Sequence, residues 1–464
     1  MRKTSSRAGA AAVITAGLLA ASVCAGPANA QSSAPEGSST PSGGSSAPTG
    51  SSGNEIPSAI GGSSDAPWDM AIRTGIADLA DPDDIDPDGF YSTIDPHPTG
   101  EPGEVVKSQP SSWSLLVEGA TWGTTAERIV YTSRDANGEP IPVTGTLITP
   151  AVPWNGPGER PVMVHAPGTQ GAGDQCAPSK LLAKGKEYEA MVQAAMLGRG
   201  WAVAMPDYEG LGTPGSHTYM NRVSQAHTTL DMGRAARAKG FTGPMAMWGF
   251  SQGGGAVAAA AELHAEYAPE LEIAGAFAGA VPADLGEVAK HIDGSALTAG
   301  IAYTLNGFTR TYPDTREARD KLVSEQGQSF LEQADHECET SSLFKWGFTD
   351  TEAATQSGRP VSTYLDQEPW KSVLDKQRIG TIAPDIPVYV THNVQDDLVG
   401  IEQGRQMVRD WCAKGARVNY IEHNVGPVAP VVDHSSPDAL ELGTAIPWLE
   451  QAVRGENVAL TCNA

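Results

Sequence analysis

The sequence predicts an α/β fold, a mostly parallel β-sheet flanked by helices and carrying a helical cap or lid insertion. Three observations predict it. Short, nearly continuous apolar runs alternate with helix-length segments, as expected of strands buried on both faces and joined by helical crossovers. A glycine-rich turn around Ser251 joins one apolar run to an alanine-rich helix. From about Pro282 to Asp385 the sequence is helical or loop-like and offers no core strand.

The chain opens on a pattern expected of an export signal. Arg2, Lys3 and Arg7 precede an apolar run from Ala8 to about Ala25, and Ala28-Asn29-Ala30 supplies a small-x-small cleavage site after Ala30. The run is short for a bilayer span. Cys24 would suit a lipoprotein anchor less well, because Val23 stands where a small residue is usual. Gln31 to about residue 66 is rich in Ser, Gly and Pro. Such composition buries too little apolar surface to offset its ordering entropy and predicts a disordered linker. The folded domain is expected to occupy residues 67–464, with ordered chain beginning between Trp68 and Phe90.

Within that domain, Glu127–Ser133 and Ile141–Thr149 flank Asn137-Gly138, a hairpin signal. The expected core strands are Pro161–Ala166, Trp201–Met205, Met245–Phe250, Ile273–Ala280, Pro387–Thr391 and Val418–Glu422. Helix-length segments such as Tyr188–Leu197 and Ser224–Ala238 lie between them. The interval from Pro282 to Asp385 reads as a cap inserted between two core strands.

Lys and Arg number 31 against 55 Asp and Glu, a formal charge of −24. That excess disfavours nucleic acid and anionic membrane surfaces as partners. Of five cysteines, four remain after the expected cleavage: Cys176, Cys338, Cys412 and Cys462. An even number in an exported chain predicts two disulfides, with three possible pairings. No cysteine–histidine spacing suggests zinc, and no metal or cofactor is expected.

Gly249-Phe250-Ser251-Gln252-Gly253 matches G-x-S-x-G, the nucleophile elbow of the α/β-hydrolase fold. The motif is short, but here it stands between an apolar strand, Met245–Phe250, and a helical run, Gln252–Tyr267. A serine nucleophile needs a base held by an acid, in the chain order Ser, acid, His. Asp396 follows the strand Pro387–Thr391, with Asp397 as its alternative. His434, in a Gly/Pro-rich loop before a helix starting near Pro437, fits the base better than His423 at the end of a strand. Asp397 and His423 then read as solvated loop residues. For the oxyanion hole, Gln252 supplies one backbone N–H, and Thr169 or Gln170, in the glycine-bearing loop after Pro161–Ala166, supplies the other. Asp207 and Glu209 could form a carboxylate pair, but their tight loop favours a role in holding backbone.

Taken in order, His165-Ala166-Pro167-Gly168-Thr169-Gln170, Pro206-Asp207-Tyr208-Glu209-Gly210-Leu211-Gly212 and Gly249-Phe250-Ser251-Gln252-Gly253-Gly254 resemble the secretory lipase family of fungal and actinobacterial exported lipases. The resemblance runs from about Trp113 to the C-terminus. It implies triacylglycerol lipase or carboxylesterase activity, a helical cap, the triad Ser251, Asp396 and His434, and disulfides Cys176–Cys338 and Cys412–Cys462. Two departures stand out: the family branch of Candida antarctica lipase A has an acidic oxyanion residue where this loop offers Thr169 and Gln170, and the N-terminal linker lies outside the family core. The expected function is acyl-ester hydrolysis on a lipid or ester substrate. A cell-envelope acyltransferase would use the same triad, and a non-catalytic binding protein would not need it. Tyr303, Leu305, Phe308, Leu343, Phe344 and Trp346 are candidates to line an acyl site.

Overall fold

The computed structural model describes residues 86–462. The expected signal peptide, the linker and most of the interval in which ordered chain is expected to begin lie outside the described residues. In chain order the sheet strands are β1 (Val105–Ser111), β2 (Thr125–Arg134), β3 (Pro140–Thr149), β4 (Val162–Ala166), β5 (Ala202–Pro206), β6 (Met245–Phe250), β7 (Ile273–Gly279), β8 (Val388–Asn393) and β9 (Val418–His423). They form one sheet in the order β1-β2-β3-β5-β4-β6-β7-β8-β9. β1, β2, β3 and β5 pair antiparallel, and β5 through β9 are parallel. The hairpin closes where Asn137-Gly138 indicates, with Ser133 opposite Ile141. β1 has no counterpart among the expected strands; its alternating half-exposed pattern carries Lys, Gln and Pro and too few apolar residues to signal a strand.

Two helical layers cover the sheet. α1 (Pro178–Lys184) and α2 (Ala190–Leu197) lie on one face, and α3 (Arg222–Ala238) and α4 (Gln252–Tyr267) on the other. Successive strand side chains point to opposite faces. Met245 and Met247 of β6 thus join Leu230 and Ala256–Ala261 in one cluster, while Ala246 and Trp248 join Leu182 and Met196 in the other. Burial on both sides explains why these strands read as unbroken apolar runs.

Between β7 and β8 the described chain adds no strand to the sheet. It runs through α5 (Leu285–Ile292), α6 (Ala299–Thr311), α7 (Arg316–Leu322), α8 (Glu325–Ala334), α9 (Glu339–Trp346) and α10 (Trp370–Gln377). This helical insertion has its own apolar centre, with Tyr303, Phe308, Leu331 and Trp370 in one cluster. α11 (Ile401–Ala413), α12 (Val432–Glu441) and α13 (Ala445–Val453) complete the chain. Cys176 is bonded to Cys338 and Cys412 to Cys462, with Cα atoms 5.4 and 5.7 Å apart. No helix among the described residues is long and apolar enough to cross a membrane.

Candidate active site

Ser251 sits in the turn between β6 and α4 with φ 56° and ψ −120°. A non-glycine residue at positive φ is strained by about 1–3 kcal/mol and persists only where its surroundings over-determine it. The turn's tightness is visible at Gly253, where a Cβ would fall 2.1 Å from the Ala166 carbonyl oxygen. Glycine therefore lets the helix start close to the end of β4, and Ser251 is left projecting at its N-terminus.

His434 Nε2 lies 2.8 Å from Ser251 Oγ. Its Nδ1 lies 2.9 and 2.8 Å from the two oxygens of Asp396. A carboxylate only accepts, so Nδ1 carries the proton and Nε2 is free to accept from the serine. Asp396 also accepts from the Leu398 and Val399 amides at 3.0 and 2.7 Å. Burial alone would raise its pKa, but His434 and His392 hold the carboxyl far below its ordinary range. Burial disfavours charge on His434 too, yet the attraction of Asp396 outweighs it and raises the histidine's pKa.

The structure corrects the expectation for the histidine's surroundings. His434 is in the first turn of α12, which begins at Val432, five residues before Pro437. A proline inside a helix removes one amide and usually breaks it. Here the carbonyl left without its amide partner, that of Asp433, accepts instead from Asn393 Nδ2 at 2.6 Å. Asp397 and His423 are also not solvated loop residues. Asp397 accepts from the Val431 and His434 amides at 2.7 and 3.0 Å, fixing the entry to α12. His423 pairs with the buried Glu441 at 2.6 Å. The sequence reading missed His392, whose Nε2 donates to Val399 O at 2.7 Å and lies 3.5 Å from Asp396. Its place four residues before Asp396, at the end of β8, was the available signal.

The loop after β4 is held by polar groups at its base. Gly168 N donates to Glu189 at 2.7 Å, Tyr208 OH to Pro167 O at 2.8 Å and Tyr188 OH to Thr169 O at 3.1 Å. Gln170 Nε2 donates to Glu187 at 3.2 Å. Among the described residues, the backbone amides of Thr169, Gln170 and Gln252 have no acceptor within the protein, although all three residues are buried. Buried amides without acceptors are rare and mark places where a ligand oxygen can bind. The Gln252 side chain is turned away, donating to Gln225 Oε1 at 3.1 Å. Asp207 accepts from Ser179 N, Ser179 Oγ and Thr144 Oγ1, and Glu209 from Thr218 and Ser224 hydroxyls, so both carboxylates are occupied in holding loops.

Ser251 and Gln252 open onto an apolar cavity. Leu285, Ile301, Leu305, Phe308 and Leu374 of the insertion line it, with Met220 and Val399 from the sheet side. Of the expected acyl-lining residues only Leu305 and Phe308 reach it. Tyr303 instead donates to Ser342 Oγ at 2.6 Å, and Trp346 to Glu337 at 2.7 Å. Leu343 and Phe344 share α9 with Trp346 and also stay outside the cavity wall. The difference follows from helix geometry: α6 turns Ile301, Leu305 and Phe308 to one face and Tyr303 to another.

With this geometry in place, the family model for secretory lipases matches residues 176–459, more than half of the chain. The chain belongs to the secretory lipase family. It is a carboxylic ester hydrolase. A secreted triacylglycerol lipase of Malassezia globosa is 28% identical over 81% of this chain and 83% of its own length. A probable inactive lipase of Mycobacterium tuberculosis is 27% identical over 72% of this chain and 76% of its own. Among solved structures, Candida antarctica lipase A in its closed state superimposes with TM-score 0.69 at 20% identity, covering 81% of this chain and 88% of that one. The rice cell wall degrading esterase of Xanthomonas oryzae gives TM-score 0.63 at 16% identity, over 77% of this chain and all of its own. These structural matches support the α/β-hydrolase fold that the elbow motif predicts.

Proposed function

We propose that this secretory lipase is exported and cleaves acyl esters, triacylglycerols among them, through an acyl-enzyme on Ser251. The observation that carries this reading is the contact of Ser251 Oγ with His434 Nε2 at the mouth of an apolar cavity. His434 takes the serine proton as Oγ attacks the acyl carbon, and Asp396 holds the ring and stabilises its positive charge. The amides of Gln252 and of Thr169 or Gln170 receive the developing oxyanion. His434 then protonates the departing alcohol. Water, deprotonated by the same histidine, attacks the acyl carbon and releases the acid. The cavity takes the acyl chain, with the helical insertion as its cap. The connected triad argues for activity here, despite the relative named as an inactive lipase.

Ser251→Ala should lower hydrolysis of p-nitrophenyl esters by about 10⁴-fold or more while leaving the melting transition in place. A folded Ser251→Ala protein with most of its activity would overturn the assignment. Adding an alcohol to the assay reads acyl transfer directly, from the ratio of ester to free acid. N-terminal sequencing of the protein from culture medium tests export and cleavage after Ala30.

A further inference from the structure

The loop following β4 carries Gly168, Gly171 and Gly173 within seven residues, so its own sequence fixes its shape poorly. Oxyanion amides must nevertheless be held to within about half an ångström to be effective. Glu187 and Glu189 hold the loop from its base. Its outer side is held by the helical insertion, through residues some 160 positions later in the chain.

Glu339 N donates to Gln170 O at 2.8 Å. Ala172 N and Gly173 N both reach Glu337 O, at 3.0 and 3.4 Å. Gly171 and Cys338 form an antiparallel bridge between these bonds. Gln175 Nε2 donates to His336 O at 2.6 Å, and the Cys176–Cys338 disulfide closes the pairing. The fit is close. Gly171 has φ 113°, and a Cβ there would lie 2.4 Å from Glu337 O and 2.5 Å from Cys338 Cα. The insertion's edge is anchored in turn, because the Glu337 carboxylate accepts from Lys345 Nζ, Ser342 Oγ and Trp346 Nε1.

We infer that Glu337–Glu339 and the Cys176–Cys338 crosslink are positioning groups for the oxyanion loop, so that the insertion completes the hydrolytic site as well as walling the acyl cavity. The inference rests on the proposed Ser251 mechanism. A short strand-like pairing sets the loop amides, and the crosslink prevents that pairing from fraying. Its loss leaves nucleophile and base in place but lets the amides drift, which weakens binding of the transition state more than of the ester.

Three variants test this: Cys176→Ser/Cys338→Ser, Gly171→Ala, and Cys412→Ser/Cys462→Ser for comparison. Each is checked for folding by circular dichroism and melting. Each is then assayed for kcat and KM with p-nitrophenyl octanoate, and for inhibition by a trifluoromethyl ketone, whose serine adduct carries the oxyanion. The first two should lose about 10²-fold in kcat and a similar factor in ketone affinity, with KM changed by less than about threefold. The comparison pair should melt lower while kcat and ketone affinity stay within about twofold. Unchanged kcat and ketone affinity in both loop variants, or a loss confined to KM, would overturn the inference. Should the first variant fail to fold, Gly171→Ala decides alone, because it keeps the crosslink. Fluorophosphonate labelling of the unaltered enzyme at Ser251 separates the two levels. Absence of labelling defeats the serine mechanism itself, whereas labelling with unaffected loop variants defeats only the positioning role.

Discussion

The unusual start of α12 gives a quantitative test, because one buried side chain compensates for one proline. Asn393 is fully buried at the end of β8. Its Nδ2 donates to Val425 O at 2.9 Å and to Asp433 O at 2.6 Å, and its Oδ1 accepts from Val425 N at 3.0 Å. Asn393→Ala removes all three bonds and leaves buried backbone groups unpaired. At about 1 kcal/mol for each bond, with more where a group stays dry, the loss is about 3 kcal/mol. A domain stable by about 5–15 kcal/mol survives that change. Pro437→Ala restores an amide at the position that normally bonds the Asp433 carbonyl. In the Asn393→Ala background it should therefore recover about 1 kcal/mol, while in the unaltered protein it should be nearly neutral. Urea titrations of the four proteins give this coupling as a double-mutant cycle. Esterase activity should track it, because Asp433 immediately precedes His434. A destabilisation by Asn393→Ala under about 1 kcal/mol, or no coupling with Pro437→Ala, would show that the amide does not stand in for the missing N–H.

Other outcomes follow from the same geometry. His434→Ala should reduce turnover nearly as much as loss of the nucleophile, whereas His423→Ala should spare kcat and cost stability, since it leaves buried Glu441 without its ring partner; thermal melts and ester kinetics on both variants separate the two effects. Stability should fall as pH rises from about 7 to 8, above the range in which the lowered pKa values of His165, His217 and His227 oppose the trend. Burial raises the carboxyl pKa values of Glu187, Glu189 and Asp438, and that of Glu339 to about 8, from ordinary values near 4. The folded state therefore holds protons that the unfolded chain has released in this window, which makes the slope negative. Asp396, with its depressed pKa, adds stability above its ordinary value of 3.8 and loses it only in stronger acid, so it does not alter that sign. His434, with its raised pKa, loses its contribution as pH rises and adds to the trend. Activity should move the other way at first, because the base must be neutral; melting curves and kcat/KM measured across pH 4–9 check both. Ile301→Trp, which fills the cavity wall, should reduce palmitoyl-ester turnover at least about tenfold more than acetyl-ester turnover, while Trp346→Phe, away from the cavity, should scale both alike; equal scaling by Ile301→Trp would remove the cavity from acyl selection.

The local signals in this sequence are those whose physics is local. β6, the turn at Ser251 and α4 can be read directly, because a strained elbow needs small neighbours at fixed offsets. The parallel strands show themselves because burial on both faces demands unbroken apolar runs, and Asn137-Gly138 marks its hairpin through backbone preference alone. β1 stays hidden, since an edge strand with half-exposed residues needs no such run. Chain order narrows the acid and the base to a few residues, and family resemblance adds the disulfide pairing.

Tertiary structure decides what depends on partners far apart in the chain. Asp397 and His423 stand as the weaker alternatives to Asp396 and His434 in the sequence, and the fold ties the first to the entry of α12 and the second to Glu441. The early start of α12 is hidden because a proline normally ends a helix, and only Asn393, some forty positions earlier, supplies the missing hydrogen bond. The cavity wall depends on the rotation of α6 against the sheet, which apolar composition leaves open. The loop after β4 goes furthest in this direction. Its glycines permit many shapes, and the one observed is set by Glu337–Glu339 and the Cys176–Cys338 bond, because a flexible segment takes its geometry from whatever rigid edge it pairs with.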